Sequence, residues 1–265
     1  MPTLFNPTVA WITVRATLSR RRALLFALPA LVLILLTAIL RATHPPMGAW
    51  PSHVLGTFGF SVLIPLTALI IGTSVLGAEI DDGSIIHLLA TPVRRSSVIV
   101  TKFAVATVLT MAFAAVPELI AGLISGGGTI PEQLAAHAGG VALTGPPTVS
   151  AGKLALGLFA GALACSVIYN AVFVMVSVAT TRAIAVGLLY VLVWETLLAN
   201  FVSGVRLLSV SHYGLGIANG IVSDQALQAG LSTLTSVVMG AIVTVAALVL
   251  AVNLLSSFTL KGEPA

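Results

Sequence analysis

The sequence predicts an all-α integral membrane protein with six transmembrane helices, and three observations lead to this fold class. Hydrophobic residues make up 58% of the 265 residues, whereas charged residues make up only 8%. The mean hydropathy is +1.10. A soluble domain carries roughly 25% charged residues, so this chain could not cover a surface exposed to water. The apolar residues also fall in runs that are long enough to cross a bilayer.

Six apolar runs are the predicted spans. They cover residues 23–40, 54–78, 98–124, 152–180, 183–203 and 233–257. At about 1.5 Å of rise per residue, each run can cross a hydrocarbon core of about 30 Å, and the shortest just reaches. Backbone polar groups in lipid must pair internally, so the runs are predicted to be helical. Residues 1–265 are therefore predicted to form a single transmembrane domain.

The basic residues predict the orientation of these spans. With the N-terminus in the cytoplasm, nine of the twelve lysines and arginines lie on the cytoplasmic side, and only Arg41, Lys153 and Arg206 lie outside. This bias is typical of multi-pass proteins and places both termini inside. The basic residues follow topology and form no single patch, which argues against nucleic acid as a partner. A composition rich in alanine, valine and glycine suggests a high-GC bacterium, and the predicted location is a bacterial cytoplasmic membrane.

Three segments outside the spans have a predicted role in the fold. Residues 1–22 form a cytoplasmic leader, in which Pro7 suits a first helical turn and Trp11 with Arg15 suits the headgroup region. An amphipathic interfacial helix is predicted there, with a disordered leader as the alternative. Residues 125–151 are rich in glycine and proline and are predicted to form a turn-rich outer segment. Residues 204–232 are predicted to form short re-entrant or interfacial helices on the outer face.

The segment 79–97 between the second and third spans concentrates charge. It holds three of the eight acids, Glu79, Asp81 and Asp82, together with Arg94 and Arg95. Gly83 opens a short amphipathic stretch that Pro92 ends, because proline excludes the helical conformation just before it. A short rigid helix projecting into the cytoplasm would serve as a docking knob. The alternative is a solvated loop whose charges only anchor the topology.

This segment resembles the cytoplasmic loop of ABC-2-type permeases. The resemblance rests on an acid, a glycine and a small polar residue, then a Leu-Leu-Ala-x-Pro core and a basic end. In this sequence the pattern is carried by Glu79, Gly83, Ser84, Ile85, Leu88, Leu89, Ala90, Pro92, Val93, Arg95, Ile99 and Lys102. The resemblance extends along the chain, from the leader through six spans to an irregular segment before the last span.

The resemblance implies that the loop is a coupling helix in contact with a separate ABC ATPase subunit. A pair of ATPase subunits would bind ATP and magnesium, and this chain would hold no cofactor of its own. A second permease, either an identical copy or a paralogue, would complete the working unit. The implied function is transport, with export of a drug, lipid or other small molecule as the expected direction. Movement of the ATPase pair would then drive alternating access through the coupling helices.

Two carboxylates lie inside predicted spans and are candidates for the translocation path. A carboxylate within a bilayer costs a few kcal/mol, so Glu118 and Glu195 are expected to face a cavity or a partner. Tyr190 and Asn200 lie near Glu195 in the chain and are candidates for the same path. Both carboxylates fall in the predicted outer half of the membrane. The alternatives are a structural polar contact or a carboxylate that reaches the outer surface.

Other function classes find less support in the sequence. Gly145–Lys153 lacks the spacing and the final Ser or Thr of a phosphate-binding loop, so no ATP site is predicted in this chain. The five histidines form no HExxH motif, and Cys165 is the single cysteine, so no catalytic group and no metal site is predicted. A stand-alone secondary transporter or channel subunit remains the main alternative, and an intramembrane enzyme is a weaker one.

Overall fold

The helices observed in the computed structural model follow the predicted apolar runs closely. The structure describes residues 5–18, 20–43, 50–77, 95–129, 148–199, 203–222, 227 and 230–257. In chain order the helices are α1 Pro7–Thr17, α2 Arg20–Thr43, α3 Trp50–Ser74, α4 Arg95–Ser125, α5 Ala151–Ala179, α6 Ala183–Leu198, α7 Val210–Val222 and α8 Thr233–Ser257. A 3₁₀ helix at Ser203–Leu208 precedes α7.

Within the described residues, five helices are long and apolar enough to cross a membrane: α2, α3, α4, α5 and α8. This confirms the predicted class of helical membrane protein. The fifth predicted span, residues 183–203, corresponds to α6, a shorter apolar helix that ends at Leu198. The arrangement of exactly six spans therefore stays a prediction. One feature was not predicted: strands β1 Gly128–Thr129 and β2 Thr148–Val149 form an antiparallel pair at the ends of the glycine-rich segment.

The leader contains the predicted helix, which ends at Thr17, five residues before the predicted boundary. The Asn6 side chain caps α1 by accepting hydrogen bonds from the backbone N–H groups of Thr8 and Val9, at 3.0 and 3.4 Å. Thr13 and Thr17 are buried, whereas Trp11 is 67% exposed. The helix thus has one face against the bundle and one face outside it. Its position at the membrane surface stays a prediction.

Helix α5 lies at the centre of the bundle and contacts α3, α4, α7 and α8. Its buried aromatic residues lie in the hydrophobic core. Tyr169 stacks on Phe173 with ring centroids 5.8 Å apart, and Phe173 contacts Tyr190 of α6 edge-on at 6.3 Å. Helices α2 and α8 are peripheral, since only 17% of their apolar windows is buried, compared with 67% for α3. The apolar faces of α2 and α8 are therefore available to lipid or to another membrane chain.

Three helices contain wide, π-helical turns, at Val54–Leu63 in α3, Met111–Ala115 in α4 and Tyr190–Leu198 in α6. The first two end two residues before Pro65 and Pro117. Proline has no N–H and its ring clashes with the preceding turn, so the helix widens just before it. Wide turns displace the side chains that follow them from their regular positions. They occur in the parts of α3, α4 and α6 that surround the two intramembrane carboxylates.

Contacts at the two ends of the bundle agree with helices that alternate in direction. The Arg41 guanidinium at the end of α2 lies beside Gly126, the left-handed residue that ends α4. At the opposite end, Arg95 in the first turn of α4 bonds to the last turn of α8. Both arginines therefore lie near carbonyl ends of helices, where a positive charge is favourable.

Candidate functional site

Glu195 lies in the wide turn of α6 and caps the N-terminus of α7. Its carboxylate is fully buried. Its oxygens accept hydrogen bonds from two hydroxyls, Ser209 Oγ at 2.6 Å and Ser211 Oγ at 2.7 Å. They also accept from the backbone N–H groups of Val210 at 2.9 Å and Ser211 at 3.3 Å. Tyr190 Oη donates to the same carboxylate at 2.8 Å. The first N–H groups of a helix have no partner within the helix, and this carboxylate satisfies two of them.

The same cluster contains a histidine, but its geometry differs from that of a nucleophile triad. His212 Nδ1 lies 3.0 Å from Ser209 Oγ, and burial lowers the pKa of His212 while the nearby Glu195 opposes that shift. In a triad the carboxylate orients the imidazole, which in turn contacts the nucleophile. Here the carboxylate and the imidazole both bind Ser209. The arrangement therefore satisfies the first backbone N–H groups of α7, and the role of Glu195 in a translocation path stays a prediction.

Glu118 has a different environment, because it is fully buried and its charge has no partner within the described part of the chain. Neither carboxylate oxygen accepts a hydrogen bond there. Glu118 follows the wide turn of α4 and Pro117, and it points at the wide turn of α3. A β-carbon at Gly59 would overlap Glu118 Oε1, so the glycine makes the space that this carboxyl group occupies.

A small cavity lies beside Glu118, between α2, α3 and α4. The space open to the centre of a water molecule is about 10 Å³, which is roughly the minimum that one water needs. Its walls are otherwise almost entirely apolar, and they are formed by Pro29, Ala30, Leu33, Leu63, Ile64, Thr67, Phe113, Ala114 and Pro117. Burying a carboxyl group without a hydrogen-bond partner costs free energy, and acids in membrane segments usually face a cavity or a partner.

Two basic residues of the segment 79–102 are described, and both bond to helix ends. Lys102 is buried, 1% exposed, and its Nζ donates to the carbonyl of Val75 at 2.7 Å, just past the end of α3. Arg95 donates to the carbonyls of Leu255 and Ser256 at 2.9 and 2.6 Å, in the last turn of α8. These contacts place the start of α4 against two other helices.

The remaining predicted residues of the coupling segment lie outside the described residues, as does Asn200. For the segment they are Glu79, Asp81, Asp82, Gly83, Ser84, Leu88, Leu89, Pro92 and Arg94. Tyr190 and Glu195 are in direct contact with each other. Glu118 makes no such contact with them and lies beside the cavity between α2, α3 and α4. Their role in translocation stays a prediction. No three histidine, cysteine, aspartate or glutamate side chains of the described ranges come together as a metal site would require.

Asn170 is a buried polar residue that the sequence analysis missed. Its Nδ2 donates to Thr110 Oγ1 of α4 at 2.9 Å and to the carbonyl of Ser166 at 2.7 Å. A β-carbon on Gly72 of α3 would come within 3.1 Å of Asn170 Oδ1, so three helices meet at this amide. An amide in the middle of an apolar run of 29 residues was the signal, since polar side chains in membrane helices usually join neighbouring helices.

Comparison with known proteins identifies the family of this chain. A family model described as ABC-2 family transporter protein matches residues 17–193, which include α2, the segment 79–102, α4 and α5. A search of curated proteins gives no match to the chain. The matched region covers most of the chain and contains the loop pattern between Glu79 and Lys102. Together with the apolar helices, this match shows a multi-pass membrane protein that belongs to the ABC-2 family of transporter proteins.

Proposed function

We propose that the chain is the permease subunit of an ATP-driven exporter and works with a separate pair of ABC ATPase subunits. The observation that carries the proposal is the position of the loop pattern. The pattern from Glu79 to Lys102 falls inside the family match and between two membrane helices, α3 and α4. A short charged loop at that place is suited to meet a soluble partner, and its basic end, at Arg95 and Lys102, is bonded to the bundle.

In this proposal, ATP binding closes the ATPase pair and shifts the two permeases between inward and outward states. Such a shift needs an ATPase that interacts with the two states with different free energies. The second permease, identical or paralogous, would cover part of the apolar surface of the peripheral helices. The membrane is a bacterial cytoplasmic membrane, with both termini and the segment 79–97 in the cytoplasm. ATP and magnesium bind to the partner subunits.

Glu118 is the residue proposed to meet cargo. Its support is the combination of complete burial, two oxygens without a partner in the described part of the chain, and a cavity at its side. A cationic or hydrogen-bonding group of the cargo would satisfy that carboxyl group when the cavity opens. Glu195 lacks this support, because its carboxylate is already engaged by Tyr190, Ser209 and Ser211.

The first test is purification of the tagged chain in mild detergent, followed by mass spectrometry of the proteins that accompany it. We expect an ATP-binding-cassette subunit, and we expect the double change Glu79→Ala with Gly83→Ala to lose it. Lys153→Gln is the matched control, because Lys153 lies at the opposite end of the bundle, in the first turn of α5. Repeated recovery of the chain alone, in several detergents, would instead favour a stand-alone secondary transporter or channel subunit.

A further inference from the structure

The first two turns of α4 contact three parts of the chain that are far apart in sequence. Arg95 binds the carbonyls of Leu255 and Ser256, and Lys102 binds the carbonyl of Val75. Thr101 Oγ1 accepts a hydrogen bond from the backbone N–H of Asn6, at 3.1 Å. We call Arg95, Thr101 and Lys102 the α4 clamp. Through it, α4 is bonded to the start of α1, the end of α3 and the end of α8.

Each clamp contact is a hydrogen bond to a backbone group at a helix end that has no partner within its own helix. The last carbonyls of a helix have no partner inside it, and a cation placed there also interacts favourably with the helix dipole. Lys102 is 1% exposed and Thr101 is fully buried. The bond between Lys102 and Val75 is therefore shielded from water, which strengthens it relative to surface contacts, and the bond between Asn6 and Thr101 is partly buried. Arg95 is partly exposed, but it binds two successive carbonyls of the same helix end.

The location of the clamp gives it a mechanical consequence. Arg95 and Lys102 are seven residues apart, which places them two turns, or about 10 Å, apart along α4. Val75 follows the last turn of α3, and Arg95 is the first residue of α4. The two ends of the connection between α3 and α4 therefore lie at helices that the clamp bonds to each other. A force applied at this connection therefore acts on α4 together with the three helix ends that are bonded to it.

We propose that Arg95 and Lys102, with Thr101, are positioning residues that make the adjoining ends of α1, α3, α4 and α8 move as one unit when force reaches the start of α4. This inference rests on the proposed function, because the ATPase supplies that force. Without the clamp, the first two turns of α4 could be displaced without moving the helix ends beside them. With the clamp, the same displacement moves α8, a helix whose outer face is free to shift against lipid or a second permease.

The contacts themselves can be tested in the full chain without an ATPase. We expect Arg95→Gln to raise hydrogen–deuterium exchange in the last turn of α8 by about tenfold, since exchange follows the local opening free energy. Lys102→Met should do the same at the end of α3. Arg95→Lys keeps a cation and should restore most of the protection at α8, and Lys153→Gln should change neither region. Unchanged exchange at both helix ends in the two clamp variants would overturn the clamp.

The coupling is then tested in the complex with its co-purified ATPase, using ATP and vanadate to trap the closed state. In the native complex we expect trapping to change deuterium uptake in residues 203–222, at the far end of the bundle. In complexes compared at equal amounts of bound ATPase, Arg95→Gln should lose at least half of that far-end response, and Arg95→Lys should regain it. A full response in Arg95→Gln would overturn the inference. Absence of any ATPase in the native preparation would instead overturn the proposed function and leave the exchange result on the clamp standing.

Discussion

At the scale of single residues, two buried glutamates have opposite surroundings. Glu195 accepts hydrogen bonds from Tyr190, Ser209 and Ser211, whereas Glu118 accepts none from the described residues. Both are fully buried, so the difference lies in their partners and not in their depth. A carboxylate that caps a helix stabilises one state of the molecule. A carboxyl group without a hydrogen-bond partner stabilises the molecule little, and its hydrogen-bonding capacity stays available for a ligand.

This difference predicts unequal effects of the same substitution on stability. Glu195→Gln keeps the size of the side chain but replaces one acceptor oxygen by an NH₂ group, which faces donors of α7. We expect it to lower the free energy of unfolding by about 1–3 kcal/mol, the usual cost of leaving buried polar groups unsatisfied. Glu118→Gln should cost much less, since it removes no bond. Thermal unfolding of both variants in one detergent measures this, and equal losses would contradict it.

Sequence reasoning located both glutamates but could not separate them. Apart from Tyr190, the partners of Glu195 are 14 to 16 residues away, across the 3₁₀ helix, so their distance to the carboxylate depends on how α6 and α7 pack. Ser209 and Ser211 stand at the start of an apolar stretch, which is a recognisable sign of a helix N-terminus. That sign predicts a cap, but it does not say which acid reaches it. The isolation of Glu118 likewise depends on α2 and α3.

At the scale of helices, the wide turns before Pro65 and Pro117 bring α3 and α4 together at Gly59 and Glu118. Hydropathy predicted both helices within a few residues, because it depends only on the summed apolar character of each run. It could not predict the wide turns, since proline permits several outcomes, including a kink or a helix end. Which one occurs is decided by the neighbouring helices. The residues that face each other across α3 and α4 were therefore not predictable.

The contact between α3 and α4 predicts a coupling between two substitutions. Gly59→Ala places a methyl group where Glu118 Oε1 lies, and we expect it to destabilise the protein by about 1–3 kcal/mol through overpacking. In a Glu118→Ala background the cost should fall by at least about 1 kcal/mol, because the overlapping group is gone. Gly152→Ala is the control, since nothing lies within 4 Å of a β-carbon there. Equal costs of Gly59→Ala in both backgrounds would contradict this.

At the scale of the whole molecule, the number of crossings depends on α6. This helix has 16 residues, Ala183–Leu198, and rises about 24 Å, which is less than the hydrocarbon core of about 30 Å. The six-span topology requires that α6 nevertheless crosses, together with the chain that follows it up to the 3₁₀ helix. The contact of Arg95 with the last turn of α8 supports this, because the end of α8 lies on the same side as the start of α4 only if α6 crosses between α5 and α8.

Labelling of single introduced cysteines decides the topology. Thr181→Cys and Gly204→Cys flank α6, and both positions are exposed. With an impermeant maleimide on intact cells, we expect Gly204→Cys to react and Thr181→Cys to react only after the membrane is opened. The native chain is the control, because Cys165 is fully buried and should give no signal. Reaction of both positions from the same side would show that α6 does not cross.

The capping of α7 by Glu195 has a consequence for how the protein is made. During synthesis α6 emerges before α7, so its carboxylate has to enter the membrane before Val210 and Ser211 can bind it. An unpaired acid within a membrane helix costs up to a few kcal/mol on insertion scales, and α6 has few residues with which to offset that cost. We therefore expect α6 to wait at the insertion machinery until α7 arrives, so that the two enter the bilayer as one hairpin.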